Sequence, residues 1–177
     1  MTLALLEQEV PTPIGTLLLI VDAAGALRAA EWADGRERLP RLLRQHYGSG
    51  AFTLTASATS PAFQDAFQAY FAGHTRALDG LPIQTGGTAF QARVWQALRT
   101  IPPGQPTSYH AFGLQLGLLR HARAIGHANA ANPLNIIVPC HRLVGSSGSL
   151  TGYAGGLDRK RWLLAHEAAS VQANSPP

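Results

Sequence analysis

The chain has 177 residues, 46% hydrophobic and 14% charged, which fits one or two small globular domains. No uninterrupted apolar run approaches the roughly 20 residues of a membrane-spanning helix, so no membrane association is expected. The first ten residues lack the basic start and apolar core of a secretory signal, which predicts a cytoplasmic protein. A single cysteine, Cys140, excludes an intramolecular disulfide and any multi-cysteine metal site, and no metal is expected.

The net charge of +4 is unevenly distributed along the chain. Residues 1–79 carry 8 acidic and 6 basic side chains, whereas residues 80–177 carry 2 acidic and 8 basic ones. Between residues 80 and 157 there is no Asp or Glu, although this stretch holds five arginines: Arg93, Arg99, Arg120, Arg123 and Arg142. Such a stretch favours a polyanionic partner, with internal arginine pairing as the alternative.

The first half is predicted to be a small sheet with helices. An apolar run from Ile14 to Val21 and a second from Leu27 to Trp32, joined by turn residues, indicate a β-hairpin. Arg36 to His46 has helical spacing, and the polar stretch from Gly48 to Thr59 has room for one more short strand. Ser60 and Pro61 then open a helix that Gly73 ends, with one aromatic face formed by Phe63, Phe67, Tyr70 and Phe71.

A turn-rich connection from His74 to Gly87, where the charge balance switches, predicts a domain boundary. Thr88 is expected to cap a helix from Ala89 to Thr100. Ser108 caps a short helix that runs through Leu116, and a second helix runs from His121 to Ala131. Two short helices around a glycine turn fit a helix-turn-helix or an ordinary helical hairpin, and the small residues of the second helix allow close approach to a partner.

The cysteine follows an apolar segment, Asn135 to Val138, that is predicted to be a short buried strand ended by Pro139. A lone buried cysteine is most often inert, but His141 and Arg142 follow at once, which favours a cleft and a nucleophilic thiol. On an extended segment adjacent side chains point to opposite faces. His141 is therefore expected to reach Cys140 only through a backbone kink or a relaying water.

A catalytic histidine needs a carboxylate to fix its tautomer. Asp158 and Glu167 are the two acids that follow residue 80, and Glu167 ends an apolar helical run, which makes it the better candidate. The alternative interpretation is a surface glutamate. His166 is a rival for the role of base, although His141 has the shorter reach to the thiol.

Four spaced motifs together resemble the bacterial type of O6-alkylguanine-DNA alkyltransferase, also called methylated-DNA-protein-cysteine methyltransferase. The motifs are Asn132-Pro133, Ile137-Val-Pro-Cys-His-Arg142, Gly152-Tyr-Ala-Gly-Gly-Leu157 and Lys160-Arg-Trp-Leu-Leu-Ala-His-Glu167. The resemblance is specific from about Phe90 to Glu167 and architectural before that. It implies an α/β (α+β) fold with a sheet and helix scaffold at residues 1–87, a mostly helical DNA-binding and alkyl-acceptor domain with a helix-turn-helix at 88–170, and a flexible tail at 171–177.

The resemblance also implies a role for each matching catalytic residue. Cys140 is the alkyl acceptor, His141 its water-mediated base and Glu167 the group that orients His141. Asn132 braces the turn between the recognition helix and the cysteine loop.

A second set of matching residues is implied to bind substrate and DNA. Tyr109 assists flipping of the damaged base and Arg123 fills its vacated place in the stack. The Leu143 carbonyl accepts from the guanine amino group, and Tyr153 with the backbone of Ala154 closes the pocket. Ala154 stands where some relatives have serine, which removes a hydroxyl.

The implied reaction is irreversible transfer of the alkyl group from O6-alkylguanine, and also from O4-alkylthymine, in double-stranded DNA to Cys140. Each molecule acts once, as a monomer without cofactor, metal or obligate protein partner. Three other functions remain open: a non-catalytic module that recognises alkylated bases, a cysteine hydrolase that uses Cys140, His141 and Glu167, and a helix-turn-helix transcription factor.

Overall fold

The computed structural model describes residues 2–118 and 120–173 of the chain. Its elements are β1 (Leu3–Thr12), β2 (Gly15–Asp22), β3 (Leu27–Trp32), α1 (Leu39–Tyr47), β4 (Phe52–Ala56), α2 (Pro61–Phe71), α3 (Ala89–Leu98), β5 (Thr107–Ser108), α4 (Tyr109–Gln115), α5 (Ala122–Ala130), β6 (Leu143–Val144) and α6 (Leu157–Ala173). The predicted combination of an N-terminal sheet with a mostly helical second half is confirmed.

The sheet has the strand order β3-β2-β1-β4, in which β4 runs parallel to β1 and the other neighbours are antiparallel. The predicted hairpin is β2 and β3, and Gly25 turns between them with φ of 83°. Alternate residues of β2 face opposite sides: Leu18 and Ile20 pack against α1, whereas Leu17 and Leu19 join the main core. Because both faces are covered, β2 is apolar almost throughout.

Strand β1 was not among the predicted elements. Its apolar alternation is interrupted by Glu7 and Gln8, which are both buried. Glu7 pairs with Arg36 at 2.6 Å, and the Gln8 side chain accepts from the Ser60 amide at 3.1 Å. Tertiary partners therefore satisfy polar groups that made this segment look unlike a strand.

Helices α3 and α4 begin where their capping residues predict. Thr88 forms a capping box with Gln91, and the Ser108 hydroxyl accepts from the Ala111 amide. Gly117 ends the turn after α4 with φ of 68°, and α4 then contacts α5. Residues 33–38, predicted in part as the start of α1, form a 3-10 helix that precedes it.

The segment Asn135–Val138 is not the predicted strand. The amides of Val138 and Ile137 bond locally, to the carbonyls of Leu134 and Asn135, so the chain turns instead of extending. Ile136 adopts φ of 70°, a left-handed conformation that is rare for a β-branched residue. The predicted strand is wrong because three apolar residues, Ile136, Ile137 and Val138, fill the core from a turn, which periodicity does not distinguish from a short strand.

The C-terminal helix is longer than predicted. Residues 171–173, assigned to the flexible tail, belong to α6, and the rest of that tail lies outside the described residues. None of the helices within residues 2–118 and 120–173 has the length and apolarity to cross a membrane.

His46 connects the first half to the end of α5. Its Nε2 donates to the Ala131 carbonyl at 3.1 Å, and its ring packs on Trp95 with 5.5 Å between centroids. Trp95 in turn donates from its indole nitrogen to the Ala128 carbonyl at 2.8 Å. Two aromatic side chains thus hold the last turn of α5, directly before Asn132.

Burial lowers the pKa of His46, so the unfolded chain takes up its proton at a higher pH than the folded one. Lowering the pH from about 7 to about 5 is therefore expected to reduce the free energy of unfolding through this group. We expect His46→Gln, which keeps a donor but does not titrate, to make urea unfolding less pH-dependent than in the wild type. The exposed His74→Gln is the control, and a His46→Gln slope equal to the wild-type slope would contradict the prediction.

Candidate active site

Cys140 lies at the start of a 3-10 turn, Cys140–Arg142, with 4% of its surface exposed. The turn leads into β6, which pairs in parallel with β5. Burial raises the pKa of the Cys140 thiol, and a hydrogen bond from Asn132 and the positive charge of Lys160 partly oppose that rise. The resting group is consequently a thiol with two features nearby that stabilise a thiolate.

Asn132 fixes the path of the chain before the cysteine. Its Nδ2 donates to the Val138 carbonyl at 2.9 Å, and its Oδ1 accepts from the Leu134 amide at 2.9 Å. The side chain therefore clamps both ends of the turn that delivers Cys140. The bracing role that the sequence resemblance implies for Asn132 stays a prediction.

His141 and Glu167 are brought together as predicted. His141 Nε2 lies 2.9 Å from Glu167 Oε1, and both side chains are fully buried. Burial lowers the pKa of His141 despite the attraction of Glu167, so the ring is neutral near pH 7. The carboxylate holds the proton on Nε2, which leaves a lone pair on Nδ1, and Nδ1 has no partner within the described residues.

The sequence predicts that His141 reaches the Cys140 sulfur only through a backbone kink or a relaying water. The backbone does kink, because Cys140–Arg142 is a 3-10 turn and not an extended strand. Nδ1 of His141 nevertheless makes no hydrogen bond to the sulfur or to any other described atom. The relaying water stays a prediction.

Glu167 has more donors than the sequence predicted. Its carboxylate accepts from Tyr70 Oη at 2.8 Å and from Arg142 at 2.9 Å from Nε and 2.8 Å from Nη2. Burial by itself would raise the pKa of Glu167, but the contacts with His141 and Arg142 outweigh it and hold the pKa below its usual range. The rival acid, Asp158, is fully exposed and pairs with Arg161.

Lys160 is a buried cation beside the site. Its Nζ donates to the carbonyls of Leu143 at 2.5 Å, Thr151 at 2.7 Å and Gly152 at 3.4 Å. The ammonium group thereby joins the strand after the cysteine turn to the loop that precedes Tyr153. The Leu143 carbonyl, implied to accept from guanine, already accepts a hydrogen bond from Lys160.

Tyr109 and Arg123 lie in different surroundings. Tyr109 begins α4, and its hydroxyl accepts from Asn129 Nδ2 at 2.9 Å. Burial raises the pKa of Tyr109, and the charge of Cys140 adds to the rise, so the phenol is electrostatically coupled to the thiol. Arg123 is exposed on α5.

The loop that carries Tyr153 and Ala154 is held by the first half of the chain. The Tyr153 ring meets the His141 ring edge-on, with 6.4 Å between centroids. Ala154 is exposed, and its carbonyl accepts from Arg38 Nη1 at 2.5 Å. The loop thus lies between the His141 side of the site and the N-terminal half.

Several residues of the site were missed by the sequence reasoning: Tyr70, Asn129, Arg142 and Lys160. Helical spacing could have predicted the burial of Lys160, because Lys160, Leu163 and Glu167 share one buried face of α6. His166, weighed as a base, donates to the Tyr70 carbonyl at 2.8 Å and stacks on Trp162. Within the described parts of the chain, no group of three or more His, Cys, Asp or Glu residues is arranged to hold a metal ion.

Three of the five arginines in the acid-free stretch make hydrogen bonds to other parts of the protein. Arg142 is buried against Glu167, and Arg93 and Arg99 donate to the carbonyls of Leu116 and Asp79. Arg120 and Arg123 are exposed at the start of α5. Part of the charge asymmetry therefore serves internal contacts, and the remainder lies next to α5.

Comparison with known proteins gives consistent matches. The family described as 6-O-methylguanine DNA methyltransferase, DNA binding domain, matches residues 89–169. The methylated-DNA-protein-cysteine methyltransferase of Salmonella typhimurium is 47% identical over 165 residues, which cover 93% of this chain and 96% of the relative. A Mycobacterium tuberculosis protein of the same name is 50% identical over 136 residues, 76% of this chain and 81% of the relative.

Solved structures agree with the sequence matches. The crystal structure of Mycobacterium tuberculosis OGT in complex with DNA superposes with a TM-score of 0.75 at 38% identity, covering 93% of this chain and 94% of that one. The O6-methylguanine-DNA methyltransferase of Pyrococcus kodakaraensis, at 22% identity and a TM-score of 0.65, shows the same fold. The chain therefore belongs to the methylated-DNA-protein-cysteine methyltransferase family.

Proposed function

We propose that this protein repairs alkylated DNA by direct reversal, transferring the O6-alkyl group of guanine to Cys140. The observation that carries the proposal is the neutral His141, held by Glu167 with its Nδ1 unpartnered, directly beside the sole cysteine of the chain. Family membership supports the same reaction. O4-alkylthymine presents the same kind of O-alkyl group and is proposed as a second substrate.

The proposed reaction is a displacement at the alkyl carbon. His141 Nδ1 accepts the thiol proton through a water, and the Cys140 thiolate attacks the carbon attached to O6. An S–C bond forms, the C–O6 bond breaks, and the guanine anion leaves with the electron pair and is neutralised by the proton that His141 accepted. Tyr109 donates a hydrogen bond to the departing base. Because a thioether does not hydrolyse under mild conditions, each molecule reacts once.

The proposed partner is double-stranded DNA that contains an alkylated guanine. We assign α4 and α5 as a helix-turn-helix whose second helix approaches the groove, with Arg123 filling the place of the flipped base. The exposed Arg120 and Arg123 and the small residues of α5 support this orientation. The protein is proposed to act as a monomer in the cytoplasm, without an obligate protein partner.

We propose two domains: residues 88–170 bind DNA and carry out alkyl transfer, and residues 1–87 form a scaffold. The match of the DNA-binding-domain family to residues 89–169 supports the boundary. The apolar core, however, runs through both parts, since Trp32, Phe67, Leu98 and Cys140 belong to one cluster.

The decisive experiment is the intact mass of the protein after incubation with a duplex containing O6-methylguanine. We expect a stoichiometric gain of one CH2 unit, mapped by peptide analysis to Cys140, and no gain in Cys140→Ser. If the protein binds the damaged duplex selectively but gains no mass, the proposal is wrong and the protein is a module that recognises alkylated bases without repairing them. Neither mass gain nor DNA binding would refute it and favour a cysteine hydrolase.

A further inference from the structure

Two buried polar atoms lie side by side at the junction of the sheet and the pocket loop, and neither has a hydrogen-bond partner within the described residues. They are the indole nitrogen of Trp32 and the hydroxyl of Tyr153. Trp32 ends β3 and is fully buried. An unsatisfied buried donor destabilises the folded state. Two such groups in one place call for a physical explanation.

Gly155 shows how close the two side chains are. A β-carbon added at this position would clash with both the Trp32 indole nitrogen and the Tyr153 ring. The indole is fixed from the other side, because the Arg159 guanidinium lies 4.3 Å from its ring centroid. Arg159 also donates to the carbonyls of Ile14 and Gly155. Arg159 therefore holds both the indole and the backbone at Gly155. The hydroxyl hydrogen of Tyr153 can still rotate about the C–O bond.

The Tyr153 hydroxyl is electrostatically coupled to the reacting thiol. Burial raises its pKa well above the ordinary value, and the charge of Cys140 is the next contribution. Its ring also contacts His141 edge-on. An indole N–H can only donate, whereas a phenol can accept one hydrogen bond and donate another. The two groups are thus chemically matched as a relay that points from the N-terminal half into the site.

We propose that Trp32 is a positioning residue for alkyl transfer: its indole N–H donates to the Tyr153 oxygen and turns the Tyr153 O–H toward an acceptor atom of the bound purine. This inference rests on the proposed function and adds to it a contribution of the N-terminal half. Without substrate the Tyr153 O–H has no acceptor within the described residues. When the base enters, the hydrogen bonds run from Trp32 through Tyr153 to the purine. The purine is therefore stabilised by this relay only when it is bound.

The first test is kinetic. Trp32→Phe removes the N–H and keeps an aromatic ring, and we expect it to slow alkyl transfer from free O6-methylguanine base by about fivefold, the effect of one neutral hydrogen bond. The thermal unfolding midpoint is expected to be unchanged or higher, because an orphaned donor is removed. Trp162→Phe is the matched control, since that indole packs on Phe71 and His166 and its loss should leave the rate unchanged.

The second test separates a relay from simple packing. If Trp32 acts through Tyr153, the double variant Trp32→Phe/Tyr153→Phe reacts at the same rate as Tyr153→Phe alone. Multiplicative effects of the two changes would overturn the proposal, as would a Trp32→Phe rate equal to wild type. The proposed function is judged separately by the wild-type mass gain, which does not depend on Trp32.

The third test does not require the Trp32 variant to fold. In Cys140→Ser, labelled with 15N-tryptophan, the indole proton of Trp32 is expected to shift downfield when free O6-methylguanine is added. The signal is assigned by elimination with Trp162→Phe and Trp95→Phe spectra. An unmoved Trp32 signal at saturating base would overturn the proposal.

Discussion

Replacing Glu167 by alanine is expected to lower the free energy of unfolding by about 3–5 kcal/mol, the cost of leaving a buried charge without its partner. The Arg142 guanidinium, only 6% exposed, would lose two of its three hydrogen bonds. Tyr70 and His141 would each lose the acceptor of a buried donor. The same change is expected to abolish alkyl transfer, because the proton of His141 is no longer held on Nε2.

Urea unfolding at neutral pH, monitored by tryptophan fluorescence, measures this effect. Asp158→Ala is the control, since that carboxylate is fully exposed and solvent screens its pair with Arg161, so the change should leave the unfolding midpoint nearly unaltered. The double variant Glu167→Ala/Arg142→Met is expected to recover part of the stability, because the unpaired charge is gone. A Glu167→Ala midpoint close to that of wild type would show that the buried network does not support the fold.

The second large effect is expected for Lys160→Met. Methionine preserves the length of the side chain but removes the positive charge that opposes the burial-induced rise in the pKa of Cys140. Less thiolate then forms at a given pH, so alkyl transfer should slow by on the order of tenfold near neutral pH. The pH-rate profile should also move to higher pH. Loss of the donor to Leu143 and Thr151 loosens the pocket loop and acts in the same direction.

Single-turnover rates with free O6-methylguanine base between about pH 6 and pH 9 test this prediction without a contribution from DNA binding. Arg161→Met provides the matched control, because it removes a cation from the next position of α6, where the side chain is 65% exposed. A Lys160→Met rate that is lower but has the wild-type pH profile would mean that Lys160 acts only by holding the loop.

The sequence predicted those parts of the fold that depend on local signals. The hairpin of β2 and β3, the capped helix α3 and the pair α4 and α5 all follow from short-range patterns and capping residues. Strand β1 was missed because its buried Glu7 is compensated by Arg36, far along the chain. The sequence predicts a strand at residues 135–138, where the structure has a turn, because apolar side chains enter the core from either conformation.

The residues of the candidate site likewise fall into those that the sequence predicts and those that it does not. Cys140, His141 and Glu167 were predicted because a thiol, an adjacent imidazole and a late acid have chemistry that the sequence displays directly. Tyr70 was interpreted only as part of an aromatic face, although its hydroxyl reaches Glu167. That contact joins residues 97 positions apart, and no local pattern encodes it.

The near-complete burial of Cys140 has a consequence for a protein that works once. A thiolate exposed to solvent reacts with peroxides and other small electrophiles, and a protein oxidised in that way would be lost before it met a lesion. Burial keeps the sulfur protonated and shielded until a substrate enters. The raised pKa looks unfavourable for a nucleophile, but it protects the thiol of a protein that is not regenerated after it has reacted.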